Sequence, residues 1–468
     1  VARPRVAEGA GLVPSAAWRY RAVDEDVDGA VVRLQQSNEW MKMTKQLQDV
    51  VEDVNAIPLD KINPARRDRF VNGTELAVFE RLRREDPVHF TPESEFGPYW
   101  SVTLWDDIRT VGSNHRDFTS TQNIDLKTLE EKDRLETALQ ALGHERRKNV
   151  GFITMDPPEH TKHRKAVTPA VAPSSLSKMA PVMRERAGMI LDNLPIGEPF
   201  DWVDRVSKEM TATVLATLLD FPFEDRRKLT YWSDVLMFEP GHGPVTSWEQ
   251  KAEETVKCYQ VFEELWEKRR NAPPSYDLIS VLAHHPDTRD MTLEQYRGTI
   301  VLLIIGGNDT TRNTISSSLY LLDKYPQEFA KLKADPKLVM PMVSETLRFY
   351  PPVNFMSRVA NRDVELNGKT IKAGDRVVMW YASGNRDGSV IDEPDVFNID
   401  RERSRRHLSF GVGIHTCIGS RLAEMQLTIV WEEILKRFSR IEVLEEPERN
   451  YSNFLHGFDS LNVIIHKD

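Results

Sequence analysis

The sequence predicts a mainly α protein with small β-sheets (α+β). Two observations carry this. Apolar residues recur at three- and four-residue spacing over a series of long stretches, whereas strand signals are short, few and paired around turn residues. The chain has 468 residues, and a chain of that length buries roughly three quarters of its unfolded surface. Its 62 Lys and Arg against 72 Asp and Glu leave a formal charge of −10, which argues against a general nucleic-acid binder. There is no run of 18 or more apolar residues, so no membrane-spanning helix is expected. The two cysteines are not a disulfide framework, and no C-x-x-C occurs to hold zinc or an iron–sulfur cluster. The N-terminal stretch carries charges throughout and lacks a signal-peptide core, so a reducing, cytoplasmic setting is expected.

In chain order, residues 1–57 are polar and mixed in charge, with one helical pattern near 40–54. They read as a partly ordered extension, and length alone suggests two or three domains. A helix is expected over 75–85, then two strands, 88–90 and 99–103, joined around Gly97-Pro98. Residues 120–150 carry much charge and little apolar periodicity, and read as a long mobile connection with a helical turn or two. Two prolines before His160 mark a helix start, and His160 and Arg164 fall on one face of it. Helical patterns fill 176–194, 203–219, 224–237 and 248–270. Gly241, Gly243 and Pro244 break the chain over 237–247, a composition that suits a lid hinge. Cys258, alone on a helix, is assigned no role.

Thr292 and Gln295 form a capping box that opens a long helix reaching about Tyr325, on the order of 50 Å at 1.5 Å per residue. Its unbroken apolar run, 300–305, suits burial on all sides. Gly306-Gly-Asn-Asp-Thr310 then interrupts it. Two central glycines cost about 1 kcal/mol each relative to alanine, and a threonine hydroxyl bonding back to a carbonyl invites a bulge or kink. Glu345 and Arg348 share a face of the next helix. Asn367-Gly368 is the favoured dipeptide of a tight hairpin between 363–366 and 370–371. Further strands are expected over 375–381, 441–444 and 461–465.

Residues 410–419 read F-G-V-G-I-H-T-C-I-G. Leu422, Met425, Leu427, Val430, Trp431, Ile434, Leu435 and Phe438 follow at helical spacing, so Cys417 sits at or just before a helix start. Unpaired N–H groups and the positive end of the helix dipole favour a thiolate there. Gly411, Gly413 and Gly419 leave room for a flat partner.

This stretch resembles the haem-ligand loop of the cytochrome P-450 superfamily, F-x-x-G-x-x-x-C-x-G, with Phe410, Gly413, Cys417 and Gly419 in the fixed positions. Other strings are similar to that family's motifs, in its order, from about Asn63 to the C-terminus. The resemblance implies the cytochrome P-450 fold as a single haem domain over 58–468, with haem b between the long helix and the helix after the cysteine. Cys417 would be the axial iron ligand, with Phe410 and Gly411 in the loop around the haem. D-P-P-E-H-T-K-H-R (156–164) is similar to the segment whose His and Arg grip the haem propionates, here His160 and Arg164. Arg358 and His415 occupy further propionate positions. Asp309 and Thr310 resemble the acid–alcohol pair that handles dioxygen and delivers protons. Glu345 and Arg348, with Arg401, resemble the structural E-x-x-R triad that fixes the cysteine loop. His407 also fits the loop pattern but is given no role.

The implied activity is insertion of one oxygen atom of dioxygen into an unactivated C–H bond. G-G-N-D-T-T-R-N (306–313), F-G-P-Y-W-S-V, A-T-L-L-D-F-P and V-V-M-W-Y-A-S-G-N-R-D are similar to strings of the bacterial subgroup that hydroxylates terminal carbons of alkanes and fatty acids. A terpene or sterol side-chain hydroxylase of the same fold is the alternative, since the G-N-D-T-T-R-N core also occurs there. The expected pocket is apolar or small: Leu302, Ile305, Gly306, Val353, Phe355 and Phe454. No flavin or nicotinamide site is visible. The resemblance therefore implies electrons from a separate ferredoxin and its NAD(P)H-dependent reductase, with Arg403, Arg405, Arg406 and Arg421 as a docking patch. A peroxygenase and a haem-binding sensor or carrier both leave Asp309-Thr310 unexplained. A non-haem interaction protein leaves the ordered motifs unexplained.

Overall fold

The computed structural model describes residues 53–122, 124–144 and 150–467. The extension expected over 1–57, with its helical pattern, lies outside them except for residues 53–57. The architecture is built around the long helix Leu293–Lys324. It opens on the capping box: Thr292 Oγ1 accepts from Gln295 N, and Gln295 Oε1 accepts from Thr292 N. Its last turn stops where Pro326 begins the next helix, Pro326–Ala334. Helices Glu209–Leu219, Arg227–Met237, Val339–Phe349 and Ser420–Arg437 pack around it. The shared core includes Ile300, Ile304, Ile315 and Leu319 of the long helix with Leu215, Trp232, Leu347 and Trp431. Burying such side chains stabilises by about 1.5–3 kcal/mol each. The run 300–305 is not buried on every side. Ile300 and Ile304 are buried, but Leu302, Leu303 and Ile305 are half-buried because their face lines cavities.

The helices expected over 75–85 and 248–270 are Glu75–Glu85 and Trp248–Arg270. That over 176–194 is Pro173–Asp192, and that over 224–237 is Arg227–Met237. The pattern over 203–219 divides into a π-helical segment, Val203–Lys208, and Glu209–Leu219. The connection 120–150 holds more structure than its charge implied, a helix over Leu129–Ala141. Its start was legible in Thr128-Leu-Glu-Glu131, a capping box in which Thr128 Oγ1 accepts from Glu131 N. Ala138 and Leu139 are buried against Ala252, with Leu135 partly buried beside them, and so small an apolar contact is why its apolar period is faint.

Strands β1 (Val88–Thr91), β2 (Tyr99–Val102), β3 (Phe118–Thr119), β4 (Phe200–Asp201), β5 (Phe355–Ala360), β6 (Val364–Leu366), β7 (Lys369–Ile371), β8 (Arg376–Trp380), β9 (Arg440–Val443), β10 (Glu448–Arg449), β11 (Phe458–Ser460) and β12 (Asn462–His466) form small sheets. The largest has the order β1-β2-β8-β5-β3. β5 pairs antiparallel with β8, Phe355 facing Trp380 and Arg358 facing Val377. β12 lies between β4 and β9. In the β6–β7 hairpin, Asn367 (φ 49°) and Gly368 (φ 73°) both take the left-handed backbone that a two-residue turn requires. No helix among the described residues is long and apolar enough to cross a membrane.

Candidate active site

Cys417 lies between a short 3₁₀ turn, Gly413–His415, and the helix Ser420–Arg437, as the sequence predicts. Its N–H donates to Phe410 O at 2.7 Å, closing the loop on itself. Gly413 has φ 73°, and a Cβ there would meet Gly112 O at 2.3 Å, so glycine is required both for backbone and for space. The loop is tied from behind: Leu408 N donates to Asn385 Oδ1 at 2.7 Å, and Ser409 Oγ donates to Leu347 O at 2.6 Å. The thiol is exposed, yet onto an interior cavity of about 230 Å³ rather than onto the outer surface. Burial pushes its pKa up, against the N–H groups of Gly419 and Ser420 and the Arg164 guanidinium, which favour the thiolate. Desolvation thus outweighs the helix-end effect inferred from sequence, and a coordinated metal is what takes the thiol to thiolate outright.

Four basic side chains converge beside Cys417. His160 and Arg164 stand on the helix Glu159–Val167, Arg358 on β5, and His415 in the 3₁₀ turn. The rings of His160 and His415 are 4.3 Å apart. Arg164 Nη2 donates to Thr416 O at 2.5 Å, and Arg358 Nη1 to Ser357 O at 2.8 Å. Among the described residues neither arginine has a carboxylate within salt-bridge reach. Both nitrogens of His160 and Nε2 of His415 are buried with no hydrogen-bond partner among the described residues. Burial, then Arg164, lowers the His160 pKa to about 4. Burial, then Arg358, lowers that of His415 to about 2. Buried donors without acceptors are rare and costly. A ligand carrying carboxylates would satisfy them, and a flat metal-bearing ring over Cys417 would fill the cavity that Phe410, Gly411, Gly306 and Thr310 also line. These residues fit haem: Cys417 would hold its iron, and the four basic groups would hold its propionates.

The long helix runs past this cavity without a break. Thr310 lines it, and Thr310 Oγ1 donates back to Gly306 O at 2.9 Å. Asp309 does not line it. Its carboxylate is fully buried on the other side of the helix, accepting from Ser233 Oγ at 3.0 Å and Asn308 Nδ2 at 2.9 Å. It also pairs with Arg312 at 3.0 Å, and Arg312 reaches Asp234 at 2.7 Å. Burial raises the Asp309 pKa to about 6, with Arg312 opposing and Asp234 adding to the rise. Ser233 and Asp234 belong to the helix Arg227–Met237 and were not found from sequence. They carry no motif, and only packing brings them to residue 309.

A second cavity of about 590 Å³ adjoins the first along the long helix. Leu302, Ile305, Gly306, Val353 and Phe454 line it. Phe355 does not. It is fully buried on the far face of β5, against Trp380 (centroids 4.7 Å apart) and Phe454. Side chains alternate along a strand, so Met356 and Arg358 face the cavity while Phe355 faces the core. Choosing residue 355 over 356 is the one-residue phase error that a short strand hides.

Glu345, Arg348 and Arg401 meet as the resemblance implied. Arg348 gives Glu345 two bonds, at 2.8 and 2.7 Å, and Arg401 Nε lies 3.2 Å from both oxygens. Arg348 also holds the carbonyls of Asn385, Pro394 and Val396, the strand of chain that leads to the cysteine loop. Arg403, Arg405, Arg406 and Arg421 are exposed. Arg405 pairs with Glu424 at 3.2 Å, and Arg406 lies over Trp105 at 5.2 Å.

The family model for cytochrome P450 matches residues 95–460. A linalool 8-monooxygenase of Pseudomonas putida is 36% identical over 83% of this chain and 95% of its own. A methyl-branched lipid omega-hydroxylase of Mycobacterium tuberculosis is 27% identical over 82% of this chain and 90% of its own. Among solved structures, CYP153D17 from Sphingomonas sp. PAMC 26605 superposes with a TM-score of 0.80 at 40% identity, covering 88% of this chain and 100% of its own. Sequence and fold agree with the geometry around Cys417: the chain belongs to the cytochrome P450 family, and it is a monooxygenase that binds haem b.

Proposed function

We propose that this monooxygenase hydroxylates the terminal carbon of medium-chain alkanes or fatty acids. The observation that carries the reading is the shape of the second cavity. It follows the long helix from Leu293 to Thr310, which is about 25 Å at 1.5 Å per residue. Charged groups of that helix, Glu294 and Arg297, line only the end far from Thr310; toward Thr310 the lining is Val301, Leu302 and Ile305. An extended space with Asp125, Lys127, Glu294 and Arg297 in its lining and an apolar stretch of helix toward Thr310 suits an unbranched chain presented end-on. End-on approach is what terminal selectivity requires, because the stronger methyl C–H bonds react only when the neighbouring methylene is held away. One relative's name denotes an omega-hydroxylase, which is consistent with this reading. The linalool relative favours a second one, hydroxylation of a terpene alcohol.

Haem bound on Cys417 supplies the activation of dioxygen and the transfer of one oxygen atom to the C–H bond. The chain supplies the rest. Cys417 would hold the iron through its sulfur, and His160, Arg164, Arg358 and His415 would hold the propionates. Leu302, Ile305, Val353, Met356 and Phe454 orient the substrate and exclude water. Thr310 presents a hydroxyl in the cavity, and Asp309, behind it, is a buried acid of raised pKa that would take up a proton and, by reorienting its side chain, pass it forward. Electrons come from a separate ferredoxin docked on Arg403, Arg405, Arg406 and Arg421, and residues 58–468 act as one haem domain.

Titration of the haem spectrum with n-alkanes, fatty acids and monoterpene alcohols tests the substrate class. A high-spin shift with linear chains is expected. A shift confined to terpene alcohols would move the assignment to the second reading.

A further inference from the structure

We infer that the contact between Gly151 and Gly298 is a width gauge for the substrate cavity, which makes both glycines specificity-determining residues. The inference rests on the terminal-hydroxylation reading and names the device behind it. Gly298, Leu302, Gly306 and Thr310 are spaced four apart on the long helix, so they form one stripe, and all four line the second cavity. Gly298 is at the outer end of that stripe. Against it lies the chain just before the 3₁₀ turn Phe152–Thr154. A Cβ at Gly298 would meet Gly151 N at 2.6 Å and the Val150 carbonyl carbon at 3.0 Å. A Cβ at Gly151 would meet Gly298 O at 2.7 Å. Both obstacles are backbone, so neither can swing aside as a side chain would. The two segments touch as closely as main chains can.

The consequence falls on the cavity. Gly151, Ile153 and Thr154 line it together with the stripe, and Phe152 and Ile153 also line the cavity that holds Cys417. The turn is internally rigid: Thr154 N and Oγ1 both donate to Gly151 O at 2.9 Å. It therefore moves as a unit with its anchor. Seating Gly151 directly on Gly298 brings Ile153 toward the wall that carries Leu302 and Gly306. A side chain at either glycine would push the turn outward and widen the passage. An unbranched chain passes the narrow form end-on, whereas a methyl branch near the leading end does not.

The test uses the haem-loaded enzyme and its Gly298→Ala, Gly151→Ala and Ile153→Ala variants. Each is titrated with an n-alkane and with its isomer methylated near one end, by spectral shift and by calorimetry, and product positions are then determined. In the wild type the linear chain should bind more tightly by a factor of about ten or more, the usual scale of one methyl group in a fitted pocket. All three variants should erase most of that preference and raise the share of subterminal alcohol. Alanine is the better helix former, so a weakened helix does not account for the effect of Gly298→Ala. Folded glycine variants that retain the wild-type preference would overturn the inference. If the glycine variants fail to fold, Ile153→Ala decides, and an unchanged preference there overturns it. A wild type that binds both isomers equally would sink the terminal-hydroxylation reading as well, whereas a selective wild type with selective variants removes the gauge alone.

Discussion

Replacing Asp309 by asparagine should make the protein more stable and much less active. The carboxylate is fully buried, and its pKa is raised from 3.8 to about 6. An acid with a raised folded-state pKa binds its proton more tightly in the folded protein than in the unfolded chain. Ionisation therefore costs stability, beginning above the unfolded value and complete above the folded one. A shift of about 2 units corresponds to about 3 kcal/mol at pH 8 and about half of that at pH 5. Asparagine keeps the shape and the acceptor oxygen toward Arg312, which also retains Asp234 at 2.7 Å. At roughly 2.1 cal/mol/K of unfolding entropy per residue, the gain in apparent Tm is about 3 °C at pH 8, shrinking as the pH falls toward 4. Thermal scans of the wild type and Asp309→Asn at matched scan rate across that range measure it. Product formation should fall by about 100-fold, the low end for a lost proton donor, with the substrate-induced spectral shift kept. A variant that is less stable at every pH would refute the electrostatic argument, and one with unchanged turnover would refute the proton-holding role.

Other perturbations have equally definite outcomes. Thr310→Ala removes the one hydroxyl that the pair presents to the cavity, so product formed per NAD(P)H consumed should drop while substrate affinity stays; full coupling would contradict the role. Glu345→Gln leaves the buried Arg348 and the half-buried Arg401 guanidinium groups without the carboxylate that pairs them. A broken buried pair costs about 3–5 kcal/mol, so haem-loaded protein should be recovered in poor yield, judged by the haem-to-protein absorbance ratio. Met356→Phe should shorten the preferred chain, because Met356 faces both cavities. Phe355→Ala, on the core face, should instead lower stability by about 3–5 kcal/mol and leave the chain-length profile as it was. Chain-length titrations and denaturant melts of both variants separate the two effects.

The sequence by itself determined what depends on local chemistry. A glycine-rich turn before an amphipathic helix placed Cys417, capping residues placed the start of the long helix, and Asn367-Gly368 placed a hairpin, because each is set by a few neighbouring backbone angles. The basic residues at 160, 164, 358 and 415 were legible as a set only through resemblance: His160 and Arg164 share a helix face, but no spacing connects them to Arg358 and His415. What the tertiary structure decided is everything that turns on which way a face points. Asp309 and Thr310 are adjacent, yet a helix sends adjacent side chains in directions about 100° apart, so one lines the cavity and the other is locked against Ser233 and Arg312. Phe355 and Met356 part in the same way on a strand. The Gly151–Gly298 contact left no trace in either local pattern, because its requirement for glycine comes from a backbone nearly 150 residues away in sequence.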